Sequence, residues 1–140
     1  MEGCVFCAIA ERRTAARVVL ETPEIICFFP TVPEIPGHTL IASRRHYHDM
    51  MDAPTALGEA VFRAAQMLAS RYRRPLGATG FNLMHATGDS AGQSVPHLHF
   101  HFMPRFDGDG ISLWPQLPGS DIDLDELLDW VTDETTGPRR

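Results

Sequence analysis

From residue 17 onward the chain alternates between short apolar runs and the residues that stop them. "RVVLE" (17–21) and "EIICFF" (24–29), rich in β-branched and aromatic residues and separated by Thr22 and Pro23, predict a β-hairpin. "PTVPEIPGH" (30–38), with three prolines and a glycine, predicts a loop, and "TLIAS" (39–43) a third strand. Between Asp52 and Arg73 the period lengthens: Leu57, Val61, Ala64, Leu68 and Tyr72 recur at helical spacing. Asp52 suits the cap of that helix and Pro54 its first turn, while Pro75 and Gly77 end it. "FNLMHA" (81–86) predicts a fourth strand, "TGDSAGQS" (87–94) a glycine-rich turn, and "HLHFHFM" (97–103) a fifth strand. "DIDLDELLDWV" (121–131) predicts a short acidic amphipathic helix. Five short strands with one long helix between the third and fourth make an α+β domain built on a five-stranded antiparallel sheet. The long helix covers one face of that sheet, leaving the other for a ligand or a second subunit. No repeat or linker divides the chain, so residues 1–134 are expected as one domain and 135–140 as a mobile tail.

Composition narrows the field. At 140 residues, 44% hydrophobic and 21% charged, the chain can bury a real core. A net charge of −6 implies no broad basic surface, so no nucleic-acid partner is expected. An anionic ligand would need a local cluster of donors to hold it against that field. The apolar runs fall short of a membrane span, and nothing near Met1 resembles an export signal. The expectation is therefore a reducing cytoplasm, where "CVFC" (4–7) reads as a metal or redox pair rather than a disulfide. Cys27, within "IICFF", reads as a small buried hydrophobe.

Three of the seven histidines fall at alternate positions in "SVPHLHFHFMPR" (94–105). On a strand, His97, His99 and His101 share one face and Leu98, Phe100 and Phe102 the other. The apolar face belongs against the core, so the histidine face should look toward a cleft or solvent. His97 and His101 are then roughly 13 Å apart at Cα, too far for all three to converge on an ion held at about 2.0–2.1 Å from each nitrogen. At least one must do something else. Imidazole can act near neutral pH as nucleophile, general acid or phosphate donor. The preceding turn, with Gly88, Gly92, Gln93 and Ser94, lets main-chain N–H groups close on an anion.

A closed four-ligand site needs two partners for Cys4 and Cys7, and no second C-x2-C exists. They must come from His38, His46, His48, His85 or the strand triplet. "RRHYH" follows the third strand, which brings His46 or His48 to a strand end, and His97 is the triplet member that the spacing spares. The resulting hypothesis is one zinc on Cys4, Cys7, His46 and His97, against an unmetallated buried thiol pair.

These residues resemble the histidine triad (HIT) family. Its His-x-His-x-His motif stands as "HLHFHFM" after "GQSVP", "PGHTLIASRRH" (36–46) looks like a second signature, and "CVFC" fits the zinc-carrying branch. The resemblance implies hydrolysis of a nucleoside phosphoramidate, a dinucleoside polyphosphate or another nucleotide conjugate through a nucleotidyl-histidine. By that pattern His99 attacks phosphorus, and His101 with the turn at Gln93 and Ser94 holds the phosphate. Ser94 assists the leaving group, His38 supports His99, Phe28 lines the base pocket, and His46 and His97 are the zinc histidines. A homodimer formed through helix and sheet edge is also implied, with Trp114 reaching across the boundary or covering its own core. Two departures stand out: Pro30 and Ala86 occupy positions where many relatives carry polar residues, which weakens the hold on ribose, a loss His85 could offset. A nucleotide- or phosphate-binding module with little catalysis is the alternative, and a histidine-ligated catalytic metal a third reading.

Overall fold

A computed structural model of the chain describes residues 1–133; the expected tail at 135–140 lies outside them. The elements run α1 (Val5–Ala10), β1 (Arg17–Glu21), β2 (Ile25–Phe29), β3 (Thr39–Ser43), α2 (Thr55–Leu76), β4 (Gly80–Met84), β5 (His99–Arg105) and α3 (Leu124–Thr132). A 3-10 turn at Asp89–Ala91 lies between β4 and β5. The five strands form one antiparallel sheet in the order β1-β2-β3-β5-β4. The chain divides into two compact units, Met1–Asp109 and Gly110–Arg140. The second contains α3, whose N-terminus is capped by the Asp123 carboxylate accepting from Asp125 and Glu126.

α2 buries Leu57, Val61, Ala64, Leu68 and Tyr72, the stripe its period predicts, against Ile25, Cys27, Ile41, Leu98 and Phe102. Its ends differ in detail from expectation. Pro54 is the N-cap, and Asp52 does not cap the helix, because both its carboxylate oxygens accept main-chain N–H groups of His48 and Asp49. Pro75 lies inside the last turn, and Gly77, at φ 70°, supplies the left-handed residue that ends it. Cys27 is fully buried, which pushes its thiol up to about 12.

The opposite face is not left open. α1, which periodicity does not reveal, lays Phe6, Ile9 and Ala10 on Ile26, Phe28, Leu40 and Ala42. Burying Phe6 and Ile9 contributes roughly 1.5–3 kcal/mol each, enough to hold a six-residue helix that has no side-chain cap. The sheet is thus covered on both sides near its centre, and the histidines emerge from under α1.

Candidate active site

β5 begins at His99, two residues later than its sequence suggests. His97 stands just outside the strand, with its ring against the thiols of Cys4 and Cys7. The alternation still holds: Leu98 and Phe102 enter the α2 core, while the rings of His97 and His99 both meet the edge of Phe6 at 5.6 and 5.2 Å between centroids. His97 is fully buried and His99 is 6% exposed, so this face is roofed rather than open to solvent.

Four candidate ligands meet around the ring of His97. Cys4 Sγ is 3.3 Å from His97 Nδ1, Cys7 Sγ is 3.4 Å from His46 Nδ1, and Cys7 Sγ is 3.6 Å from His97 Nδ1. All four ligand atoms lie within 4.8 Å of one another. Around a tetrahedral ion, sulfur–nitrogen edges come to about 3.5 Å from the usual bond lengths, so the donor set fits a metal ion. The tautomer fits as well. His97 Nε2 is 2.7 Å from the Ser43 carbonyl, which can only accept, so the proton sits on Nε2 and Nδ1 turns its lone pair to the thiols. Burial pushes the Cys7 thiol up, so a cation is what would hold it as thiolate. The other histidines are engaged elsewhere: His48 with Asp49, His38 with His101, and His85 with the His99 carbonyl.

His99 carries the reverse tautomer. Its Nδ1 is 2.7 Å from the His97 carbonyl, and must donate. Nε2 therefore holds the lone pair. It has no protein partner among the described residues and is not sealed from solvent. Burial lowers the His99 pKa, which keeps that lone pair unprotonated at neutral pH.

His101 is oriented by a relay. The Glu34 N–H donates to His38 Nδ1, which leaves the His38 proton on Nε2, 2.9 Å from His101 Nδ1. His101 must then carry its own proton on Nε2, as a donor. Burial, and then the neighbouring His99 and His38, push His101 down to about 4, and burial lowers His38 too. The row thus offers a bare nitrogen at His99 beside an N–H at His101, with ring centroids 5.3 Å apart.

In the turn before β5, the Gln93 side chain is occupied. Its Oε1 accepts from Gly88 N–H, and its Nε2 donates to the His48 and Val95 carbonyls. The Gln93 N–H donates to the Gly88 carbonyl. Ser94 is exposed, and its N–H and hydroxyl have no partner among the described residues. Phe28 is buried at 5.4 Å from Phe6, and both line a cavity of about 250 Å³ that also reaches Val5, Ile9 and Pro30. Phe6, Val5 and Ile9 escaped sequence reasoning because they belong to the unpredicted α1. A second cavity, about 580 Å³, reaches from Pro30 and Glu34 to His38. His85 does not offset Pro30 and Ala86, because both its ring nitrogens are already bonded.

A five-stranded antiparallel sheet with a Cys/His cluster that could hold a metal ion at one end of a histidine row, and a bare imidazole beside it, defines a class of small two-faced α+β proteins. The chain belongs to the histidine triad family: the HIT domain model matches residues 11–108. An uncharacterized HIT-like protein of Methanocaldococcus jannaschii is 32% identical over 130 residues, 89% of this chain and 95% of that one. Adenylylsulfatase HINT3 of Arabidopsis thaliana is 30% identical over 111 residues, 79% of this chain and 55% of that one. A zinc-bound histidine triad family protein from Mycobacterium smegmatis is 31% identical, with TM-score 0.76 and 84% of each chain covered.

Proposed function

We propose that the chain is a hydrolase of nucleotide conjugates — nucleoside phosphoramidates, dinucleoside polyphosphates or related compounds — that works through a nucleotidyl-histidine at His99. The observation that carries this reading is the tautomer pair: a lone pair on His99 Nε2 beside an N–H on His101 Nε2. Nε2 attacks the α-phosphorus and forms a P–N bond as the bond to the leaving group breaks. Imidazole is both a competent nucleophile and a good leaving group, so one displacement divides into two. The His97 carbonyl stabilises the positive charge that grows on the ring through Nδ1–H. The His101 N–H and the Ser94 N–H hold the phosphate oxygens as charge redistributes. The Ser94 hydroxyl protonates the departing nitrogen or oxygen. Water then attacks phosphorus and gives a proton to Ser94, restoring its hydroxyl, as the P–N bond breaks and releases neutral His99.

His38 fixes His101, and Phe28 with Phe6 supplies an apolar slot for the base. Gln93 acts as a brace that shapes the turn. Zinc is the metal we propose for Cys4, Cys7, His46 and His97, in a structural role, supported by the fit of the donor set and by the zinc-bound relative. The same reading takes the protein to be a cytoplasmic homodimer paired through α2 and the β4 edge, where Phe62, Leu76 and Leu83 are exposed. No helix among the described residues is long and apolar enough to cross a membrane.

Denaturing quench at mildly alkaline pH, where a phosphorus–nitrogen bond to histidine survives, during turnover of adenosine and guanosine phosphoramidates, dinucleoside polyphosphates and adenylylated amines, followed by peptide mass spectrometry, tests the mechanism. A nucleotidyl adduct on His99 is expected; turnover with the adduct elsewhere or nowhere defeats it. The second reading, a nucleotide-binding module with little catalysis, is favoured by Pro30, which lines both cavities without a side-chain donor or acceptor. Tight nucleotide binding with no adduct would select it. A catalytic metal on His99 and His101 predicts instead that activity disappears when such an ion is chelated.

A further inference from the structure

We propose that His85 is a positioning residue for His99, holding the strand that carries the nucleophile where β4 parts from β5; the inference rests on the function proposed above. The β4–β5 ladder ends at the pair Met84↔His101. β5 continues back to His99, but β4 has already turned away into the 85–94 segment. On the other side of β5, the Leu98 carbonyl accepts from Ser43. Main-chain carbonyls alternate sides along a strand, so the carbonyl of His99 points to the β4 side, where the next main-chain donor has gone.

The imidazole of His85 supplies that donor. Its Nδ1 lies 2.8 Å from the His99 carbonyl and must donate, and its Nε2, then unprotonated, accepts from the Thr87 hydroxyl at 2.8 Å. The ring also stacks on Phe100, at 4.5 Å and 26°. Three contacts thus fix one side chain, and that side chain fixes the peptide group next to the nucleophile. His99 is pinned twice: its ring by the His97 carbonyl, its main chain by His85. Both bonds are needed to aim Nε2, because the ring swings with the Cα–Cβ bond it hangs from. The parting of the strands is what makes room for the glycine-rich turn, and His85 closes the ladder without refilling that space.

Two variants separate hydrogen bonding from packing. His85→Asn keeps an N–H close to the position of Nδ1; His85→Phe keeps the stacking on Phe100 and removes the donor. Two readouts are taken on each. The first is solvent exchange of the His99 Nδ1 proton, followed by 1H–15N correlation at neutral pH. His85→Phe is expected to speed this exchange at least tenfold, and His85→Asn to leave it within about threefold of wild type. The second is kcat against KM on a nucleoside phosphoramidate. His85→Phe should lower kcat by about tenfold to a hundredfold, the scale of a small misplacement of a reacting group, with KM within twofold. His85→Asn should restore most of the loss. Unchanged exchange in His85→Phe, or an equal loss in both variants, overturns the inference. If wild-type protein turns over no nucleotide conjugate, the proposed function fails, and the exchange measurement still decides the role of His85.

Discussion

His97 and His99 stand two residues apart on the same side of the sheet, yet they end in opposite chemical states. His97 donates through Nε2 to Ser43 and presents Nδ1 to two thiols; His99 donates through Nδ1 to His97 and leaves Nε2 bare. Nothing in the side chains themselves distinguishes them. Each ring is assigned by the carbonyl within reach of it, which fixes the proton and thereby the nitrogen that remains to act. In the proposed function that difference makes one imidazole a metal ligand and its neighbour a nucleophile.

The largest expected effect tests that division directly. His99→Ala should lower turnover of nucleotide conjugates by about 10⁴-fold or more, the scale of removing a covalent nucleophile. Its metal content should stay at one equivalent per chain, measured by elemental analysis. Residual activity near wild type, or loss of the metal with the activity, would show that the two imidazoles are not separate in function.

The complementary change acts on the other ring. Cys7→Ala should abolish binding of the ion and lower stability by at least about 3 kcal/mol, since metal binding to such a site is folding free energy. For a chain of this size that is roughly 10 °C in Tm. Because the Phe6 ring touches both His97 and His99 from the same helix that carries Cys7, part of the activity should go too. An unchanged melting temperature together with a full metal complement would sink the assignment.

The two faces of the sheet differ in how far the sequence discloses them. The α2 face is legible because a 22-residue helix repeats its apolar stripe long enough to show a period, and Leu57 to Tyr72 all bury as that period demands. α1 is not, because in six residues nearly every position is apolar and buried, leaving no polar side to define a phase. The candidate metal cluster is partly legible from ligand number and spacing, which point to His97 and to His46 or His48; only the fold, which turns His48 to Asp49, brings His46 to the thiols. The tautomers are not, since they depend on where the carbonyls of Ser43 and His97 fall. Asp52 illustrates the same competition at smaller scale: its carboxylate fits a helix cap, but two nearer N–H groups claim it. His85 is invisible in the same way, because its role exists only where two strands separate.

A milder test concerns the turn. The Ser94 hydroxyl is exposed and unpartnered, as a leaving-group donor must be, whereas Gln93 is consumed in holding the turn. Ser94→Ala should lower kcat by about tenfold, at the low end for losing a proton donor, and mostly for substrates whose leaving groups are strongly basic. A leaving group that departs without a proton should be insensitive. Equal losses across a series of leaving-group pKa values would reassign Ser94 to binding.

The smallest effect is the one that probes the far end of the row. His101 and His38 are held neutral by burial, His101 at about 4, below the ordinary 6.5 of histidine. A folded pKa below the unfolded one means that the unfolded chain takes up the extra proton first. The contribution is therefore fully present above pH 6.5 and is lost as pH falls from there through about 4. Protonating His101 would put a hydrogen on Nδ1 and break the N–H···N bond from His38, and protonating His38 would break instead the bond its Nδ1 accepts from the Glu34 N–H. Urea unfolding of wild type and His101→Asn at half-unit steps between pH 7 and 4 reads this out. The wild type should lose stability more steeply on acidification, by up to one proton's worth of slope, and the two curves should run parallel above pH 7. Parallel curves throughout would mean that His101 takes up its proton near the ordinary 6.5 in the folded protein too, and an imidazolium formed there in mild acid would compete with the lone pair of His99 for the phosphate that the proposed function places against both.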